Sequence, residues 1–401
     1  VPSHSEPETL HEAPPWRDPK RYLWLMGLIV PCFPFLSWGL VELTGLGVFW
    51  WSGVILLYVL FPVIDQLIGK DSANPPDSAL ARLEADRYYR WCTYMYLPLQ
   101  YAGLVAGCAL LTSGELSLAA RIGLTVTLGG VAGIGINTAH ELGHKKESTE
   151  RWLSRVALAQ TCYGHFYIEH NRGHHVRVAT PDDPASARLG ESFWRFLPRT
   201  VTGSLASAWR LEKRRLTRRG GSPWTWRNDI LSAWAMSAVL FATLALAFGP
   251  EVLPYLVGQA VFGFCLLEVI NYTEHYGLLR ERTESGRFER CAPKHSWNSD
   301  NVASNVFLYH LQRHSDHHAN PTRRYQALRH FEDAPELPTG YAGMIVLAYF
   351  PPLWRRVMDH RVLAHYGGDV RRANLQPSRR GALLTRYGAG EHPKDTPGVT
   401  A

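Results

Sequence analysis

Six long apolar runs constrain this chain more than anything else in it. A helix needs roughly 20 apolar residues to cross a hydrocarbon core. Runs of that kind fall at Tyr22–Leu43, Leu46–Ile68, Trp91–Thr112, Leu116–Asn137, Ile230–Phe248 and Val252–Ile270. Backbone polar groups inside a bilayer must be satisfied within their own segment, so these runs predict an all-α integral membrane protein with six transmembrane helices. Pro31 and Pro34 fall in the first span and should bend it. The alternative, a soluble protein with six very apolar core helices, accounts less well for so many runs of this length.

The mean hydropathy of −0.15 conceals the spans because apolar and charged residues are segregated. The spans come in three pairs, joined by short links at Gly45, Ser113–Glu115 and Gly249–Glu251 that hold no Lys or Arg. Basic residues crowd the other side: Arg17, Lys20 and Arg21, then Lys70, Arg82, Arg87 and Arg90. Between His140 and Arg227 there are 16 Lys or Arg against eight Asp or Glu. The positive-inside rule therefore predicts that both termini and both large polar regions face the cytoplasm.

The expected organisation is a polar segment 1–19, transmembrane helices 1–4 in 20–139, a cytoplasmic loop 140–228, helices 5–6 in 229–275, a cytoplasmic region 276–387 and a flexible tail 388–401. Residues 1–19 lack the charged-then-apolar order of a cleaved signal. The apolar stretch Tyr341–Trp354 is too short and Pro-interrupted to span, and reads as an interfacial or buried element. The net charge of +7 sits beside the spans, which argues against nucleic acid as its partner. The six cysteines contain no C-x-x-C pair, which disfavours a zinc ribbon, an iron–sulfur cluster or a dithiol site.

Half of the 18 histidines gather in three clusters and one outlier. The clusters are His140/His144, His170/His174/His175 and His314/His317/His318, and His275 ends the sixth span. Residues three or four apart share a helix face, so His140 with His144, His170 with His174, and His314 with His317 or His318 can each converge on one metal. An adjacent His175 or His318 points about 100° away, which suits a second metal beside the first. Nine imidazoles exceed one zinc's four-coordinate demand, and imidazole alone does not name the metal. By topology, all nine lie at one membrane face. His165, His295 and His310 lie near the clusters but outside the pattern.

Glu141, Glu169, Glu274 and Asp316 adjoin these histidines, and Asp182, Asp183 and Asp300 lie near. Metal-bound His donates its other ring N–H to such groups. Glu268 sits within the sixth span on the face of His275, so it either serves function or bonds a polar group on another span. Leu57, Tyr58 and Phe61 in the second span either close a substrate tunnel or pack the core. The run Arg210, Lys213, Arg214, Arg215, Arg218 and Arg219 suits an acidic protein partner or anionic lipid headgroups.

These motifs resemble the membrane-bound non-haem diiron alkane 1-monooxygenases of the histidine-box desaturase/hydroxylase class. The match is carried by NTAHELGHKKE, GHFYIEHNRGHH, NYTEHYGLLR and LQRHSDHHANPTRRYQ, and extends to about Gly368. The resemblance implies O2-dependent hydroxylation of the terminal methyl of a medium- or long-chain linear alkane, giving a primary alcohol. It also implies two irons bound by the nine histidines, and residence in a bacterial inner membrane. The chain has no haem, flavin or iron–sulfur motif of its own, so the resemblance implies electrons from rubredoxin and its NAD(P)H-dependent reductase. Three rivals stand beside it. One is another histidine-box hydroxylase or acyl-lipid desaturase. The second is an intramembrane zinc protease, because His140-Glu141-x-x-His144 spells H-E-x-x-H. The third is a metal transporter.

Overall fold

The computed structural model describes residues 16–388, so most of the polar segment 1–19 and of the tail 388–401 lies outside the described residues. Six helices are long and apolar enough to cross a membrane. They are α1 (Leu23–Thr44), α2 (Gly47–Ile68), α3 (Arg87–Thr112), α4 (Leu118–Gly143), α8 (Asp229–Phe248) and α9 (Pro250–His275). Four further helices build a cap at one end of the bundle: α5 (Ser148–Ala159), α6 (166–177), α7 (Phe193–Thr217) and the short α10 (His314–Ala319). A hairpin of α11 (Tyr341–Ala348) and α12 (Pro351–His365) follows. Among the described residues there is no sheet, only isolated β-bridges.

The prolines of α1 coincide with a change of winding. Its first part, Leu23–Cys32, winds as a tight 3₁₀ helix containing Pro31, and regular α-helix begins at Phe33 with Pro34 in its first turn. Two spans continue further than hydropathy alone predicts. α4 runs past Asn137 to Gly143 and α9 past Ile270 to His275, so His140 and His275 ride on the ends of membrane helices.

α4 is the axle of the bundle, with 78% of its apolar window buried against 22% for α2 and α8. Glycine lets α9 approach it. A Cβ on Gly133 would come within 2.9 Å of both the Gly263 carbonyl and Leu266, and one on Gly129 within 2.9 Å of the Gln259 carbonyl. This backbone contact sets the spacing of His140 and His275.

The stretch Tyr341–Trp354 divides into two environments. α11 is buried along α9, where the Tyr341 hydroxyl donates to Glu274 at 2.9 Å. At the turn into α12, Phe350 and Leu353 are 58% and 49% exposed. Trp354 then anchors the return against Tyr272 and Tyr276. Asp65, fully buried in α2, caps the short helix Val302–Phe307 by accepting from the Ser304 N–H at 2.8 Å.

Candidate metal centre

The nine histidines come together at the capped end in two sets. His140, His144, His170, His175 and His317 form one; His174, His275, His314 and His318 form the other. Within each set, one ring nitrogen per residue lies within 4.8 Å of all the others. His140 Nε2 is 2.8 Å from His317 Nε2, and His175 Nε2 is 3.1 Å from both His170 Nε2 and His317 Nε2. In the second set His314 Nε2 is 3.2 Å from His275 Nε2 and 2.9 Å from His318 Nε2. Two nitrogens at right angles around an ion, each about 2.1 Å from it, stand about 3.0 Å apart. The sets therefore have the spacing of metal donors.

The grouping corrects one expectation. His170 joins His175, five residues on, and not His174. The cause is local: residues His170–His174 form a π-turn, whose i→i+5 hydrogen bonding shifts the face by one residue. The neighbours His174/His175 and His317/His318 are split between the sets, as a rotation of about 100° per residue requires. His314 pairs with His318, four residues on.

The chemistry of the rings also fits a cation. Burial pushes His144, His170, His175, His314, His317 and His318 well below the ordinary histidine range, and repulsion among the rings adds to it. Neutral imidazole is the ligating form. The Nε2 atoms of His144 and His174 are buried without a protein partner, a costly state that an ion would relieve. On the outer side, His174 Nδ1 donates to Asp183 at 2.9 Å, and the Ser186 hydroxyl donates to the same oxygen at 2.6 Å. Burial alone would raise the Asp183 acid, but His174 and these hydrogen bonds outweigh it and hold it at about 2. His275 Nδ1 donates to the His295 carbonyl at 3.3 Å.

The other carboxylates sort by partner. Glu274 adjoins the second set, one oxygen 3.2 Å from His314 Nε2 and the other accepting from Tyr341. Glu141 is held by Lys145 at 2.9 Å and by the Tyr325 N–H. Glu169 pairs with Arg177 at 2.5 Å, and burial pushes it up to about 7. Asp316 accepts from Arg323, Asn320 and the Arg329 N–H, so it locks the loop after α10. Glu268 takes three donors, Tyr163 at 2.7 Å, Thr200 at 2.9 Å and Asn271 at 3.1 Å, which is the inter-helix polar bond. Asp182 is exposed. Asp300 forms a third acid–imidazole group with His330 and Glu336, but Arg313 stands by Asp300 and Lys70 pairs with Glu336, supplying the positive charge. His165, His295 and His310 fall in neither set.

His140, His170 and His314 line an apolar cavity. Leu57, Phe61, Leu266, Ile270, Phe307 and Ile345 line it, with Asn137, Asn271 and Ser304 among its few polar groups. Sequence reasoning overlooked those three, although an Asn inside an apolar span just before a histidine cluster was a readable sign. Tyr58 lies outside the lining; its hydroxyl pairs with that of Tyr349. In the basic run, Arg210, Lys213, Arg214, Arg218 and Arg219 are exposed. Arg215 instead turns inward to Glu212 and Asp229.

Comparison with known proteins agrees with this architecture. The fatty acid desaturase family model matches residues 117–348. An alkane 1-monooxygenase of Acinetobacter baylyi is 47% identical over 92% of both chains, and one of Ectopseudomonas oleovorans 43% identical over 98% of both. The hydroxylase component of a Pseudomonas putida xylene/toluene monooxygenase is 26% identical over 84% of this chain and 87% of that one. A helical membrane bundle with two histidine sets, matched along nearly its whole length, makes this chain a member of the membrane fatty acid desaturase family, in its alkane 1-monooxygenase branch.

Proposed function

We propose that this chain hydroxylates the terminal methyl of medium- and long-chain linear alkanes to primary alcohols. The reaction consumes one O2, two electrons and two protons, and releases water with the alcohol. The observation that carries the reading is an apolar cavity with His140, His170 and His314 in its lining. An alkane offers no charge or hydrogen bond, so only shape and exclusion of water can position it.

Two irons are the proposed cofactor, one held by His140, His144, His170, His175 and His317, the other by His174, His275, His314 and His318. When bound, they would activate O2 and supply the oxidising power that an unactivated C–H bond demands. The chain's own residues do the rest. Asp183 and the His295 carbonyl fix the ring orientation of His174 and His275. Leu266, Ile270 and Phe307 keep water from the hydrocarbon, and Asn137 is tied to the Leu308 carbonyl at 2.7 Å, which steadies the wall beside His140.

Electrons would come from rubredoxin, reduced by an NAD(P)H-dependent reductase, with the exposed Arg210, Lys213, Arg214, Arg218 and Arg219 as a complementary face for an acidic carrier. The basic loops support a cytoplasmic placement of that face in a bacterial inner membrane. A zinc protease needs Glu141 as general base, whereas Lys145 and Tyr325 already hold it. A transporter would carry its site near mid-span, whereas these histidines sit at helix ends.

The test is one reconstitution: purified chain with its iron quantified, rubredoxin, reductase, NADH, O2 and octane to hexadecane. Primary alcohol with about two irons per chain is expected; a single zinc, or a desaturated product from acyl lipid, overturns the reading.

A further inference from the structure

A hydrocarbon dissolved in lipid must cross the wall between bilayer and cavity. Three elements build that wall: α2, α9 and the α11–α12 hairpin. On each, a residue lining the cavity neighbours an aromatic that does not line it. Leu57 adjoins Tyr58, Leu266 is one turn from Phe262, and Ile345 is one turn from Tyr349. The three aromatics meet. The Tyr58 and Tyr349 hydroxyls are 3.2 Å apart with ring centroids at 5.9 Å, and the Phe262 ring meets Tyr58 edge-on at 6.5 Å.

All three are half-buried, while Val59 beside Tyr58 and Phe350 beside Tyr349 are 55% and 58% exposed. Exposed residues thus flank the cluster, and the exposed Trp194 of α7 stacks on Tyr349 with ring centroids 5.8 Å apart. Phe262 precedes His275 by 13 residues on one helix, about 20 Å along its axis, so the cluster lies within the hydrocarbon layer and not at headgroup level. Both sides of the seam are built to give. α2 winds as a π-turn over Leu56–Leu60 with Tyr58 at its centre, and α11 ends at Ala348, just before the Pro351 turn. At the hairpin tip the hydroxyl pair is a weak tie across the seam, whereas its far end is held by Gln66 donating to Thr339 at 2.6 Å.

We propose that an apolar chain enters the cavity from the lipid between α2 and the tip of the α11–α12 hairpin, with the Tyr58–Tyr349 hydroxyl pair as the latch of that portal. The proposal rests on the cavity being a hydrocarbon site. The latch tolerates only a substrate without strong hydration, because the opening faces lipid and not water.

The test uses the full chain in lipid nanodiscs carrying Tyr58→Cys and Tyr349→Cys. Cys265→Ser is added because that thiol lies near both tyrosines. A short bis-maleimide, cleavable by reductant, bridges the new pair. Two quantities are read with and without the bridge: uptake of radiolabelled hexadecane by metal-free protein, and alcohol formation by the loaded protein. Bridging is expected to slow uptake at least tenfold, with recovery on cleavage; unchanged uptake overturns the portal. Alcohol formation by the unbridged protein decides the hydroxylase reading separately, since uptake without product sinks that reading and leaves the portal standing. Should the double variant not fold, Tyr58→Phe keeps the ring and removes the tie. It should speed uptake severalfold, and an unchanged rate refutes the latch.

Discussion

Replacing Asp183 with Asn should empty one metal position and spare the other. Asp183 is fully buried, and one of its oxygens accepts from both His174 Nδ1 and the Ser186 hydroxyl, while the other accepts from the Ala185 N–H at 3.2 Å. Asn has the same shape but only one accepting oxygen. With that oxygen on the backbone, its NH2 faces His174 Nδ1, forcing that atom to accept and moving the ring proton to Nε2, where it blocks ligation. With the amide reversed, the Ala185 N–H loses its partner. Loss of such an outer hydrogen bond typically weakens metal binding about 10- to 100-fold, or about 1.4–3 kcal/mol. His174 belongs to the four-histidine set alone, so iron per chain should fall from two toward one under a mild chelator. The folded acid is held at about 2, below its ordinary value, so its stabilisation is present above about pH 4 and lost as pH falls through about 2. In metal-free protein Asp183→Asn should lack that acid-side loss, worth about 2 kcal/mol. Iron content, chelator midpoint and acid unfolding measure these effects. Two irons retained at the parental chelator midpoint would refute the argument that Asp183 sets the His174 tautomer.

Phe61→Ala deepens the cavity and should shift the alcohol profile from an octane-to-hexadecane mixture toward longer chains; an unshifted profile assigns Phe61 to packing alone. Gly133→Ala puts a methyl 2.9 Å from the Gly263 carbonyl and should cost about 1–3 kcal/mol, read as a lower Tm in nanodiscs. Glu268→Ala leaves Tyr163, Thr200 and Asn271 donors unpaired and should destabilise by about 3 kcal/mol or more, with Gln recovering part of it. Charge reversal at Arg210, Lys213 and Arg214 should lower rubredoxin-coupled turnover and flatten its salt dependence. Arg215→Glu should instead lower Tm, since that side chain pairs with Glu212 and Asp229.

The spans were legible because a bilayer admits few solutions: an apolar run of sufficient length is a helix, and its hydropathy says so without tertiary context. Where α4 and α9 end was less legible. Hydropathy stops at Asn137 and Ile270, but the backbone continues as helix because the histidine sets and the cap bury the polar turns that follow. The carboxylates were the least legible. Glu141, Asp316 and Asp183 all stand near histidines in sequence, yet only Asp183 supports one, His174, while Lys145 and Arg323 claim the other two. Lys145, Arg323 and His174 stand only four, seven and nine residues from their acids, so it is the local turn after each cluster, and not distance along the chain, that decides which group an acid meets.

The pairing of histidines shows most sharply what spacing can decide. Helical periodicity assigns His170 to His174, and that inference assumes one turn of regular α-helix. The single π-turn at His170–His174 breaks the assumption: it moves His175 onto the His170 face and frees His174 for the set containing His275. Without it, His174 and His175 would exchange sets. Asp183 would then support the wrong ring, and the set containing His275 would lose the ring whose Nδ1 it fixes. The side chains make two metal positions possible, but the hydrogen-bond register of one turn decides which ring serves which.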